Sequence, residues 1–427
     1  MVRQGYPPGP LSLTLLIAVL LTCVPLRGAL AETAAVLPKG VWNIEAKGFF
    51  YLPIDERFDP DGNEEPLAID FNGPLDSTVF PALTPLDPFV PGGQASIGES
   101  VVDFTLDYTI LRFDFRYGVT DKLSLQLRIP YWLAKNTVNA TLDTSSANVG
   151  TNPLFNPAGP FPINAPLVPL GIGIGETPLT DEDVQGLLGQ GLDVNGDGTT
   201  DIAGFGYDRF ETWSGNGFGD VQFGGKYKFH DEGPWRLAAA AGILFPTGRI
   251  DDPDNLADVP FGTGAWGGLL RFYADYRLGR NWTFNATAFA DLFLPHNEVK
   301  RVPSDVNEPL TANKTEVRID RAPLFELELQ SMYHTEAGWY GLLAYRGSIK
   351  GKNNVSGDAG IDFSSLEDET DRVSHIGRVG VGFSTFGLYA KKKFPVPLYA
   401  ELQYRNRFAG KNVFKSQYIS LTLGVLF

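Results

Sequence analysis

Gln417-Tyr418-Ile419-Ser420-Leu421-Thr422-Leu423-Gly424-Val425-Leu426-Phe427 closes the chain. Side chains of a strand alternate between its two faces, so Ile419, Leu421, Leu423, Val425 and Phe427 share one face. Ser420, Thr422 and Gly424 share the other. An apolar face toward hydrocarbon and a small or polar face toward a lumen is what a lipid bilayer demands of a closed barrel. A half-buried strand of a soluble sandwich reads the same way, so the rest of the chain has to decide.

The other end of the chain carries an export signal. Arg3 precedes the short apolar run Leu11 to Leu21, and Ala29-Leu30-Ala31 has the small-x-small form of a cleavage site. Residues 1–31 are thus expected to be a signal peptide, with the mature chain starting at Glu32. The run is too short and wrongly flanked for a spanning helix. Cys23, the one cysteine, falls inside it, so the mature chain would have neither disulfide nor thiol chemistry. Lipidation at Cys23 is disfavoured, because Thr22 is larger than the residue that normally precedes a lipidated cysteine.

No later stretch is apolar for the roughly 18 residues a helical span requires. The mean hydropathy of −0.08 looks soluble. It is also what a barrel gives, since only alternate residues meet lipid. A net charge of −15 disfavours nucleic acid as a partner. Much of the acid falls in Pro/Gly-rich segments such as Asp55 to Glu65, as suits outer loops bathed in divalent cations.

Strand-like alternation recurs throughout. It is read at Val41–Leu52, Asp103–Tyr117, Leu123–Ile129, Val221–Phe229, Trp235–Phe245, Leu270–Arg277, Trp282–Ala288, Phe325–His334, Trp339–Lys350, Gly377–Ala390, Leu398–Arg407 and the closing strand. About twelve strands result, an even number, as bacterial single-chain barrels have. Connections mostly alternate long and short, as in Gly118-Val119-Thr120-Asp121 against the insert Ala134–Asn216, although the last outer one, near Ala409 to Asn412, is brief. With both termini periplasmic, the short turns are periplasmic and the long loops extracellular. The expected fold is therefore an all-β, transmembrane, antiparallel up-and-down barrel over residues 32–427, monomeric, with a large extracellular insert at about 134–216.

The terminal aromatic residue resembles the closing strand of Gram-negative outer-membrane barrels, where a C-terminal Phe is the mark read by the barrel-assembly machinery. Tyr117 to Tyr131, and Gly217 to Lys228 continuing through Ala241-Gly242-Ile243-Leu244-Phe245-Pro246-Thr247-Gly248, resemble the outer-membrane family labelled as the meta-pathway of phenol degradation. The likeness is read over roughly Val102 to Leu294, with the insert as a departure. It implies a barrel acting as a channel or transporter for passive passage of small molecules, with aromatic or hydrophobic solutes suggested by the family alone. The expected surroundings are outer-membrane lipid and lipopolysaccharide.

The polar face of the strands would line the lumen. It holds Glu45, Lys47, Arg112, Asp114, Arg116, Arg128, Lys226, Lys228, Arg271, Asp275, Arg277, Glu326, Glu328, Arg346, Arg378, Glu401, Arg405 and Arg407. Two readings stand: an ion-pair network that braces and fills the bore, or a narrow polar pore whose charges, more basic than acidic, favour anions. A sealed structural or receptor barrel is the alternative function. An enzyme is not expected, because the four histidines, His230, His296, His334 and His375, show no spacing that points to a catalytic pair.

Within the insert, Asp193-Val194-Asn195-Gly196-Asp197-Gly198-Thr199-Thr200-Asp201 places oxygen ligands at positions 1, 3, 5 and 9, with Gly198 at 6. That suits a weak structural calcium site at Asp193, Asn195, Asp197 and Asp201. It resembles the calcium loops of dockerin-like and thrombospondin-type repeats, without the bidentate Glu of a full EF-hand loop. A solvated Asp-Gly turn cluster is the plainer reading.

Overall fold

The structure is a computed structural model that describes residues 33–303, 310–358, 360 and 362–427. The expected signal peptide, with Cys23, lies outside them. Twelve antiparallel strands form the wall: β1 (Trp42–Tyr51), β2 (Ser96–Thr120), β3 (Leu123–Asp143), β4 (Val221–Glu232), β5 (Trp235–Phe245), β6 (Gly267–Leu278), β7 (Trp282–Phe293), β8 (Leu324–His334), β9 (Trp339–Lys350), β10 (Arg372–Ser384), β11 (Leu398–Lys411) and β12 (Gln417–Leu426). Each pairs with its sequence neighbours. β1 pairs with β2 on one side and β12 on the other, Asn43 opposite Leu426 and Tyr51 opposite Tyr418, so the sheet closes on itself. No edge is left, which is the condition for placing a sheet in hydrocarbon.

Register converts the alternation into two surfaces. On β12, Leu423 is 52% exposed and Thr422 only 3%. Apolar side chains thus cover the outside while the polar set turns inward. Aromatic pairs belt the outer surface near the short turns: Trp42–Tyr117, Trp235–Tyr276, Trp282–Tyr333 and Trp339–Phe383, with ring centroids 4.7 to 5.0 Å apart. Amphipathic rings at that level suit a membrane–water interface.

The structure departs from the sequence reading in three places. β2 and β3 run for 25 and 21 residues, well beyond the roughly 9–11 that span a bilayer. Consequently Ala134–Asp143, read as loop, is strand, and Trp213–Phe218 pairs along the outer part of β3. Pairing persists outside the membrane because the inner face of β2 stays apolar there: Val102, Phe104, Leu106 and Tyr108 pack on Phe210, Val259 and Phe261 from the loops. Second, the loop read between Pro295 and Ala322 contains a ribbon, His296–Arg301 paired with Lys314–Asp320. Third, β10 stops at Ser384, and Phe386–Ala390 form a short helix rather than the end of a strand. Phe386 leaves the wall to pack against Tyr399 beneath the barrel.

Leu421 lies near the middle of β12 on the outward face, opposite Gly48 and Leu402. Leu421→Arg is expected to lower stability in lipid vesicles by about 2–4 kcal/mol, the cost of a cation near the bilayer midplane. Guanidinium unfolding monitored by tryptophan fluorescence checks this. A loss under roughly 1 kcal/mol would match a site at the interface instead.

Candidate functional site: the barrel interior

Inward parity brings the charged residues of β1, β2 and β3 together, because Glu45, Asp114 and Arg128 are successive register partners across three strands. Asp114, fully buried, is the centre. Its carboxylate accepts from Arg112 Nε and Arg128 Nε at 2.8 Å each and from Gln126 Nε2 at 2.7 Å. Glu45, also fully buried, accepts from Arg116 at 3.2 Å, from the Tyr399 hydroxyl at 2.5 Å and from Arg112 at 3.5 Å. Tyr399 lies across the bore because Gly424 has no Cβ; one there would stand 2.2 Å from the tyrosine ring.

A second network occupies β8, β9 and β10. Glu328 takes Arg378 at 2.6 Å and Arg346 at 2.8 Å, and Arg346 also reaches Glu326. On β6, Arg271 pairs with Asp291, and Asp275 accepts from Asn285. At the short-turn rim Lys228 and Arg277 both bind Asp231. Glu401 accepts from the Tyr340 hydroxyl, Arg405 donates to the Tyr418 hydroxyl, and Arg407 donates to Ser374 Oγ. Of the residues read as inward-facing, Glu45, Arg112, Asp114, Arg116 and Arg128 are tied to one another, as are Glu326, Glu328, Arg346 and Arg378.

The chain before β1 turns into the bore, which the sequence reading missed. Leu37 N donates to Ser124 Oγ at 2.8 Å, Ala34 N to the Asp275 carboxylate at 3.1 Å, and Lys226 Nζ to Thr33 O at 2.8 Å. Gly118 permits the crossing, since a Cβ there would come within 1.9 Å of Pro38 O. Beside this segment lies a cavity of ≈ 100 Å³ lined by Arg116, Arg128, Lys226 and Arg271 among others, with no carboxylate in its lining. Thr33 to Leu37 carries no periodicity and reads as a linker, so only the small residue at Gly118 hints at a close approach.

Toward the extracellular end the inner face becomes aromatic. Phe49, Tyr418, Tyr51, Tyr108 and Trp132 follow one another with ring centroids 4.5 to 5.9 Å apart. They share the parity of Glu45, Arg112 and Arg128, the signal by which sequence reasoning could have found them. Above them the loops are fastened by Arg301. It donates to the carbonyls of Pro253, Phe205, Thr311 and Gly206 and to Asp254, over the Tyr207 ring at 3.8 Å.

The calcium-loop residues are folded into their own turn. Asp193 accepts from Gly196, Asp197 and Gly198 N–H groups, Asn195 from Asp197 N, and Asp201 from Val194 N. The oxygen donors are of the type a hard cation takes. Among the described residues, no group of three or more carboxylate, histidine or cysteine side chains is placed to hold a metal ion. Of the histidines, His296 binds Glu298 at 2.7 Å in an extracellular ribbon, and His375 meets the Tyr345 hydroxyl at 2.7 Å on the outer wall.

Removing Asp114 would leave three guanidinium groups facing one another without their common acceptor. Asp114→Ala is expected to destabilise the folded barrel by about 3–5 kcal/mol, the cost of breaking a buried pair on one side. Glu326→Ala, at a partly exposed pair, should cost about 1 kcal/mol or less. Denaturant titration in one detergent compares them, and equal losses would sink the assignment of Asp114 as the hub.

Similarity to solved structures places the same architecture elsewhere. The COG4313 outer membrane channel from Pseudomonas putida F1 superposes with a TM-score of 0.51 at 14% identity, over 94% of this chain and 100% of that one. At that identity it shows the fold. A Pseudomonas aeruginosa FadL homologue (TM-score 0.32, 10% identity, 91% of this chain and 90% of that chain) and the Ralstonia pickettii toluene transporter TbuX (0.33, 9%, 91% and 90%) are too distant to carry an argument. No curated protein matches the chain. The family model for the MetA-pathway of phenol degradation matches residues 179–413, which includes the motif at Gly217 to Gly248 but not the one at Tyr117 to Tyr131. That is more than half of the chain, and the protein belongs to this family of outer-membrane barrels.

Proposed function

We propose that the protein is a monomeric channel of the bacterial outer membrane that passes small molecules by diffusion. One observation supports this reading: a cavity of ≈ 100 Å³ lies beside Thr33–Leu37, with Arg116, Arg128, Lys226 and Arg271 in its lining and no carboxylate. The lining charges would act as the selectivity element and the segment as the constriction. Family membership and the aromatic rings of the outer half support aromatic or hydrophobic solutes. The C-terminal strand, ending in the exposed Phe427, is the part we expect the assembly machinery to engage. Lipopolysaccharide would surround the aromatic-rimmed outer wall.

A sealed barrel is the second reading. It is favoured by the segment across one end and the Arg301 clasp over the other. Planar-bilayer recording of the refolded protein separates the two. Discrete current steps are expected, with a reversal potential in a salt gradient on the anion side. Silence from a verified folded barrel would overturn the channel, and cation preference would overturn the role given to Arg116, Arg128, Lys226 and Arg271.

We also propose weak calcium binding at Asp193, Asn195, Asp197 and Asp201, supported by the donor types and their spacing. Calorimetric titration of the whole protein is expected to show a calcium heat that Asp193→Ala abolishes and magnesium does not reproduce. Equal heats in both proteins would remove the site.

A further inference from the structure

Where β1, β2, β11 and β12 meet, the inner wall holds more positive charge than its carboxylates answer. Lys47 is 6% exposed, and among the described residues it makes no hydrogen bond and no ion pair. Arg405 is 9% exposed; it donates to Gln403 Oε1 and to the Tyr418 hydroxyl, and among the described residues it meets no carboxylate. The like charges that bear on Lys47 are Arg405 and Arg112. Arg112 itself is engaged by Asp114 and Glu45. The carboxylates that bear on Lys47 are Glu401 and Glu45, and Glu45 is already shared by Arg112 and Arg116. Two buried cations without a salt bridge of their own thus face the single carboxylate of Glu401, an excess of positive charge that a protein tolerates when a further anion answers it.

The same two cations sit against rings. Lys47 Nζ is 5.3 Å from the Phe49 centroid and Arg405 Cζ 5.6 Å from that of Tyr418, with the two rings 5.9 Å apart. Tyr51, Tyr108 and Trp132 continue the apolar track from Tyr418 toward the loops. Ser420 and Thr422, the register partners of Phe49 and Lys47, bury hydroxyls that no group among the described residues satisfies. Glu401, opposite Thr422 on β11, and Glu45 two residues from Lys47 limit how much negative charge can enter. A single charge fits; a polyanion would be repelled.

We propose that this patch binds aromatic carboxylates of the benzoate class, the carboxylate between Lys47 and Arg405 and the ring against Phe49 and Tyr418. This rests on the channel reading for how the solute arrives, and narrows its solute class. A neutral aromatic would leave the excess positive charge unanswered. A small inorganic anion would make no use of the rings.

Isothermal titration of the folded, full-length protein in detergent with benzoate, acetate and benzyl alcohol tests it, alongside bilayer recording of the same preparation. Benzoate is expected to bind at least about tenfold more tightly than either probe that lacks one half of its chemistry, as the loss of a charge-assisted hydrogen bond implies. Lys47→Gln and Arg405→Gln should each weaken benzoate about tenfold or more, and Phe49→Leu roughly two- to tenfold. Heat-modifiable electrophoretic mobility confirms that each variant is folded. Lys47→Gln removes a cation that makes no salt bridge among the described residues, so its folding should be unimpaired. The proposal is overturned if benzoate does not bind, if acetate binds as well, or if Lys47→Gln and Arg405→Gln both leave benzoate affinity within twofold. A conducting barrel that fails these tests loses the site and keeps the channel. A silent barrel that passes them keeps the site and loses the channel.

Discussion

In hydrocarbon every backbone N–H and C=O must find its partner within the protein, and for strands only a closed sheet achieves this. The pairing of β1 with β12 is therefore the contact on which the rest depends. Closure fixes the register of each strand against two neighbours, and register fixes parity. Slip β12 by one residue and Leu421 would face the lumen and Thr422 the lipid. The same parity that exposes Leu423 to the membrane delivers Glu45, Asp114 and Arg128 to one another in the interior.

That interior is polar by necessity and has to reconcile its own charges. Asp114 serves as common acceptor to three arginines, and Glu328 to two. Such pairs do little for stability compared with a packed apolar core, and breaking one side of them is costly. What they achieve is placement. They hold long cationic side chains in fixed positions on the inner wall. Tyr399 over Gly424 and Tyr340 on Glu401 add rigid crossbars of the same kind.

The architecture was readable because a period of two survives in almost every strand, from Trp42 onward to Phe427. The inward charges followed from the same alternation. What the sequence hid falls into two kinds. Thr33 to Leu37 enter the bore through single backbone hydrogen bonds to Ser124, Asp275 and Lys226, which leave no periodic trace. The overrun of β2 and β3 was obscured because Val102, Phe104 and Leu106 pack on distant loops as well as on the neighbouring β3. The aromatic set was visible in principle: Phe49 and Tyr51 lie in phase with Glu45 and Lys47, but a reading intent on charges passes over rings on a polar face.

Arg301 shows how a protein surface can be both fixed and variable. Four of its acceptors are backbone carbonyls, at Phe205, Gly206, Pro253 and Thr311. Every residue type carries a carbonyl, so the sequence around those positions is free to drift while the clasp persists. The arginine, Asp254 and the Tyr207 ring are the members held by their side-chain chemistry. A clasp addressed to the main chain lets the exposed side chains of these loops diversify without loosening the contacts that join one loop to the next.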